Sequence, residues 1–207
     1  MGRISIEQRG IAVGLLNAGV QQVELVSVLL CLGYTSAQVF GGGGCPNVKA
    51  QSTFDLNRYL GDWYEVYKFY AAFESGQSCA KAHYELKSDG HIKIVNSGFK
   101  DGKAINATGD AFIPDPQNNP AKLKLRFSSL APYGNYWVLD TDYDNYTFIY
   151  SCSGVLGITH YEFAWILTRQ PNITEEVKTK LFNEAKAFGI DTTNFKLQDR
   201  SGCPNNQ

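Results

Sequence analysis

Gly61-Asp62-Trp63-Tyr64-Glu65-Val66-Tyr67-Lys68-Phe69-Tyr70 is the stretch whose reading decides the fold. Aromatic and β-branched residues dominate it, no proline interrupts it, and Gly61 lets the backbone turn sharply at its start, so it reads as a first β-strand. Side chains alternate along a strand, which puts Trp63, Glu65, Tyr67 and Phe69 on one side and Tyr64, Val66, Lys68 and Tyr70 on the other. Neither side is purely polar. A strand apolar on both faces fits a barrel with a lined cavity inside and partial cover outside.

The chain downstream repeats the extended pattern. Strands are expected over 79–87, 91–99, 103–113, 121–128, 136–141, 146–153 and 160–169, separated by turn signals such as Ser88-Asp89-Gly90, Lys100-Asp101-Gly102 and Asp142-Tyr143-Asp144-Asn145. In 121–128 the apolar Leu123, Leu125 and Phe127 alternate with Lys122, Lys124 and Arg126, so one face is dry and the other wet. In 160–169 Tyr161, Phe163, Trp165 and Leu167 share a side. Counted from Gly61 this gives eight strands with short connections and no crossover helix, the pattern of an all-β, eight-stranded antiparallel up-and-down barrel. The period then changes: Thr174 caps a helix whose stripe is Val177, Leu181, Ala185 and Phe188 and which ends before Gly189, placing one C-terminal α-helix against the barrel wall.

Upstream, residues 1–40 read as a signal leader, with Arg3 and Arg9 before an apolar run over 23–32 and small residues at Thr35-Ser36-Ala37; that run is too short to span a bilayer, and no transmembrane segment is expected. Gly41 to Gly44 read as a flexible joint, and 41–207 as the barrel domain. Setting aside Cys31 in the leader leaves Cys45, Cys79, Cys152 and Cys203, an even set that indicates two disulfides and an oxidising, extracellular compartment; spacing alone allows three pairings. Sequons at Asn106, Asn145 and Asn172 agree with a secreted glycoprotein.

The balance of 19 basic and 20 acidic residues offers no electrostatic footprint for nucleic acid. With 12 Tyr, 12 Phe and 3 Trp the chain carries the planar side chains that a concave apolar pocket needs. His83, His91 and His160 stand apart without metal-ligand spacing, and no nucleophile elbow, dinucleotide fingerprint or phosphate loop occurs, so neither a metal nor a catalytic residue is assigned. Glu65 shares the side of Trp63, and a carboxylate pointing into a barrel must find a donor or take up a proton.

Three separated stretches resemble the lipocalin family: Gly61-Asp62-Trp63, Thr141-Asp142-Tyr143 at the turn between the sixth and seventh strands, and Arg169 at the end of the eighth. Within it, Cys45-Pro46, the run 59–66, the run 137–146, Tyr150-Ser151-Cys152 and Phe163-Ala164-Trp165-Ile166-Leu167 are similar to the apolipoprotein D and insect bilin-binding group, over most of the chain from Cys45 to Pro204. The resemblance implies that Trp63 and Arg169 close the narrow end of the barrel, and that Cys45 pairs with Cys152 and Cys79 with Cys203. Asn96 stands where bilin-binding members place a polar pocket residue, and Trp165 where apolipoprotein D-like members place an aromatic one.

The expected ligand-binding residues are therefore Tyr67, Asn96, Leu125, Phe127, Tyr136, Tyr161, Phe163 and Trp165. The function implied is carriage of a small hydrophobic ligand: a biliverdin-type pigment, retinoid, carotenoid, steroid or fatty acid, with no cofactor required but a bound biliverdin or other apolar chromophore admitted. Two other readings are kept: a cell-surface recognition or adhesion lipocalin, with a receptor or homo-oligomer as partner, and a lipid-modifying lipocalin enzyme. The enzyme type that uses a free pocket cysteine has no thiolate here if all four cysteines are paired. The segments 71–78 and 154–159 line the mouth in this fold and match no single member of the group.

Overall fold

The computed structural model describes residues 39–204. Eight consecutive strands form the barrel: β2 (Gly61–Lys68), β3 (Gln77–Leu86), β4 (Ile92–Lys100), β5 (Lys103–Phe112), β6 (Lys122–Arg126), β7 (Gly134–Thr141), β8 (Tyr146–Val155) and β9 (Thr159–Thr168). Each pairs antiparallel with its neighbour, and β9 returns to β2 through Tyr64↔Thr168 to Lys68↔Trp165, which closes the cylinder. Closure satisfies backbone groups that an open sheet would leave as edges.

The barrel does not close evenly, and the irregularities place the remaining elements. β2 pairs with β3 only from Gly61 to Tyr64, so its second half leaves an edge that β10 (Lys196–Leu197) takes by pairing with Lys68 and Tyr67. β9 pairs with β2 only from Trp165 onward, and its first half is taken by β1 (Val39–Gly42) through Val39↔Glu162 to Gly42↔Thr159. Gly41 and Gly42, expected in a flexible joint, are thus strand residues: an unpaired edge of β9 captures them, and a Cβ at Gly41 would lie 2.3 Å from the His160 ring, so only glycine lets this backbone approach. The rest of the expected leader lies outside the described residues.

Two apolar clusters hold the fold. Inside the lower barrel, Tyr59, Trp63, Ile92, Ile94, Leu123, Val138, Ile149 and Leu167 pack together. Outside, α2 (Glu175–Ala187) lays Leu181 and Ala185 against a wall of Phe148, Tyr150, Ala164 and Ile166. Thr174 caps α2 by accepting from the Val177 amide, and Glu175 and Glu176 occupy its first turn, so the helix begins where its orphan donors and its dipole favour it.

Two disulfides pin the outer segments, Cys45–Cys152 and Cys79–Cys203, the pairing implied by the resemblance. Among the described residues no helix is long and apolar enough to cross a membrane.

Candidate functional site: a floored cavity inside the barrel

The floor is built from local sequence. Asp55 caps the single-turn helix α1 (Leu56–Tyr59) by accepting from the amides of Asn57 and Arg58, and the turn delivers Tyr59, fully buried, beneath the barrel. Gly61, at φ +91°, then swings the chain into β2, a conformation that favours glycine. Trp63 points inward, fully buried, and its indole donates to the Tyr59 carbonyl at 2.8 Å. The Arg169 guanidinium stacks 3.7 Å from the centre of the indole and donates to the carbonyls of Tyr143 (2.9 Å), Asp62 (2.7 Å) and Arg58 (2.8 Å). One planar cation thus joins α1, β2 and the β7–β8 turn to the end of β9, a geometry that a lysine cannot reproduce.

Above this floor lies a cavity of about 460 Å³. Its walls include Ile94, Leu125, Phe127, Tyr136, Ile149, Tyr161, Phe163, Trp165 and Leu167, with Asn96 and Ser151 among the polar side chains and Glu65, Glu74, Lys81 and Arg126 among the charged ones. Phe163 stacks on Trp165 at 5.6 Å and 18°, and Phe73, from the 3-10 turn Ala72–Glu74, covers Phe163 from the mouth at 5.6 Å. β5 pairs with β6 only over Asp110–Phe112, so the mouth-side half of β5 bounds a notch of about 340 Å³ that shares Phe73, Glu74, Asn96 and Phe127 with the main cavity. Glycine at 109 makes room there, because a Cβ would lie 2.9 Å from the Phe127 ring.

Seven of the eight residues expected to bind ligand, Asn96, Leu125, Phe127, Tyr136, Tyr161, Phe163 and Trp165, line this cavity. Tyr67 does not: it lies outside the barrel, 5.3 Å from Phe182 of α2 and 6.5 Å from Phe195. The cause is a bulge in the β2–β9 ladder between Glu65 and Tyr67, which breaks the period-two alternation and re-aims every later side chain of β2. Lys68 consequently reaches Glu65 at 2.9 Å and Glu74 at 3.2 Å.

This ionic group sits in the cavity wall and was only half legible. The inward Glu65 carboxylate takes both of the routes open to it: it finds Lys68, and burial, reinforced by the nearby Glu74 charge, pushes its pKa up to about 8. Burial works against the charge on Lys68, but the two carboxylates outweigh it and raise the ammonium above its ordinary value. Glu74 also accepts from the Trp165 indole at 3.4 Å. Its part is invisible in the sequence, because a loop glutamate carries no periodic signal; only the fold shows that it turns inward and ties the entrance turn to the wall.

At the base of the cavity the phenols of Tyr59, Tyr136 and Tyr84 and the hydroxyl of Thr147 form hydrogen bonds, with Tyr84–Tyr136 at 2.6 Å. Burial pushes the Tyr59 phenol up to about 12 and those of Tyr84 and Tyr136 well above their ordinary value. The histidines are dispersed: His83 faces Asp62, His91 faces Asp110 and His160 faces the Gly43 carbonyl. Asn106, Asn145 and Asn172 are exposed.

Comparison with known proteins agrees with this geometry. A family model described as a lipocalin-like domain matches residues 54–200. Apolipoprotein D of Cavia porcellus is 38% identical over 167 residues, 81% of this chain and 88% of that one. Among solved structures, insecticyanin from the tobacco hornworm Manduca sexta superposes with a TM-score of 0.70 at 30% identity, covering 80% of this chain and 90% of its own. Lobster apocrustacyanin A1 gives 0.69 at 25% identity, covering 79% and 92%. With the indole-guanidinium floor, the closed eight-stranded cylinder and the single docked helix already in place, these matches lead to one conclusion: the chain belongs to the lipocalin family.

Proposed function

We propose that this lipocalin is an extracellular carrier that takes a small hydrophobic molecule out of water into its barrel. The observation that carries the reading is the floored cavity of about 460 Å³, whose surface is mainly apolar, with polar side chains set among aromatic and aliphatic ones. Such a cavity binds by desolvation, and polar groups such as Asn96 orient the guest. The ligand classes implied by the family resemblance, a biliverdin-type pigment, a retinoid, a carotenoid, a steroid or a fatty acid, are all mainly apolar and suit such walls. Two disulfides and three exposed sequons support a secreted, glycosylated protein. Among the described residues every cysteine is in a disulfide, which supports a carrier rather than a thiolate enzyme.

One observation favours a second role beside carriage. Leu130, Leu156 and Ile158 are 95%, 90% and 74% exposed on the segments that connect barrel strands, apolar surface of the kind that recognition of a cell-surface partner uses.

The test is a titration of the secreted protein with retinol and with biliverdin, followed by quenching of tryptophan emission. Saturable quenching by at least one of them is expected, and the double substitution Trp165→Ala with Asn96→Ala should abolish it while leaving any cell adhesion intact. Absence of saturable uptake of either compound by the parent protein refutes the carrier reading.

A further inference from the structure

The hydroxyl groups under the cavity form an unbranched row: Thr147 Oγ1, Tyr59 Oη, Tyr136 Oη and Tyr84 Oη, separated by 3.2, 3.1 and 2.6 Å. A hydroxyl has one hydrogen to donate and can accept from more than one donor. Four hydroxyls therefore bring four hydrogens to three contacts. One hydrogen must leave the row.

Burial decides where it leaves. Thr147 and Tyr59 have no solvent exposure and do not line the cavity. Among the described residues their hydroxyls meet no acceptor outside the row. A hydrogen stranded there would be a buried donor without a partner, the arrangement that folded proteins avoid most consistently. Tyr84 and Tyr136, by contrast, both line the cavity, where water or a guest can accept. The favoured arrangement runs the donations upward from Thr147 to Tyr59 and on to Tyr136, and each donation polarises the next hydroxyl. Burial also keeps both upper phenols protonated, so they remain donors across the physiological range.

We infer that the floor of the cavity is a hydrogen-bond donor site, formed by the Tyr84–Tyr136 pair, for the neutral carbonyl end of a ligand, which enters the barrel acceptor first. The inference rests on the carrier reading and narrows its ligand class. Ketones, aldehydes and lactams satisfy the surplus hydrogen; a pure hydrocarbon seated on it offers no acceptor. The two phenols offer a hydrogen bond without a charge, so a neutral carbonyl is satisfied there, whereas a carboxylate would also have to leave its hydration behind.

The experiment uses two probes: Prodan, a naphthalene ketone whose emission moves to longer wavelength when its carbonyl accepts a hydrogen bond, and N-phenylnaphthylamine, which has no carbonyl. Tyr84→Phe or Tyr136→Phe alone leaves one cavity hydroxyl able to donate, so the informative variant is Tyr84→Phe with Tyr136→Phe. The parent should bind both probes, with Prodan emitting at the hydrogen-bonded position. In the double variant Prodan should bind about tenfold more weakly and emit at shorter wavelength, the loss of one neutral hydrogen bond, whereas N-phenylnaphthylamine affinity should change less than twofold. Unchanged Prodan affinity and emission in a double variant that still binds N-phenylnaphthylamine overturns the donor site and leaves the carrier reading standing. Prodan bound to the parent at its aprotic emission position overturns it whatever the variants do. Uptake of neither probe by the parent removes the carrier reading, and the donor site with it.

Discussion

Arg169→Ala removes the cover of the barrel floor. The substitution deletes three donations to carbonyls at 2.7 to 2.9 Å and the 3.7 Å contact with the Trp63 ring. Hydrogen bonds from charged donors contribute about 1.5–3 kcal/mol when sheltered, but Arg169 is half-buried and the freed carbonyls regain water, so about 0.5–1 kcal/mol each is the fitting value. The guanidinium–indole contact adds about 1 kcal/mol. Together the loss should be about 3 kcal/mol. With a urea dependence of roughly 2 kcal/mol per molar for a domain of this size, the unfolding midpoint followed by tryptophan emission should fall by about 1.5 M. Arg169→Lys should recover no more than about a third, since one ammonium cannot span three carbonyls in a plane. Uptake of an apolar probe below the transition should persist, because Arg169 is not among the residues lining the cavity. Midpoints of both variants within about 0.3 M of the parent would refute the account of the floor as a cation-stacked joint.

Two further outcomes follow from the wall. Glu65 has a pKa raised from 4.5 to about 8, so the folded state binds its proton more tightly than the unfolded chain does; the stability it confers is complete below about pH 4.5 and is lost as the pH rises through about 8. Glu65→Gln should flatten that decline, which is on the order of 2–4 kcal/mol, in denaturation curves taken between pH 5 and 9, and an unaltered decline would show that another group carries it. Tyr67→Ala should cost about 2 kcal/mol through lost packing against Phe182 and Phe195, yet leave retinol or biliverdin affinity within twofold, whereas a lost affinity would mean that Tyr67 reaches the cavity after all.

Those contrasting fates of Glu65 and Tyr67 show how far the sequence could be read. Alternation reports a side chain's face only while the ladder stays in register, and it does so for Tyr161, Phe163 and Trp165 on β9, where every partner on β8 follows in order. On β2 the same rule puts Tyr67 inside, and a single bulge reverses it. A bulge of this kind leaves no mark in composition: Val66 and Tyr67 are both good strand residues. β1 was hidden for a related reason. A short piece such as Val39–Gly42, half of it glycine, is not a strand by its own propensity; it becomes one because β9 leaves part of an edge unpaired. The floor was legible through the family resemblance, whose motif residues, an indole, a planar cation and a glycine at a positive φ, have few substitutes. The Glu65–Lys68–Glu74 group was not, since its members come together only through the bulge and the entrance turn.

The two disulfides join the barrel at Cys79, near the start of β3, and Cys152, near the end of β8, both on the half that faces the open mouth. Covalent bonds therefore guard the rim, while apolar packing, hydrogen bonds and stacking guard the base. A reducing solution would thus loosen the outer segments at the rim first and leave the joints of the base in place.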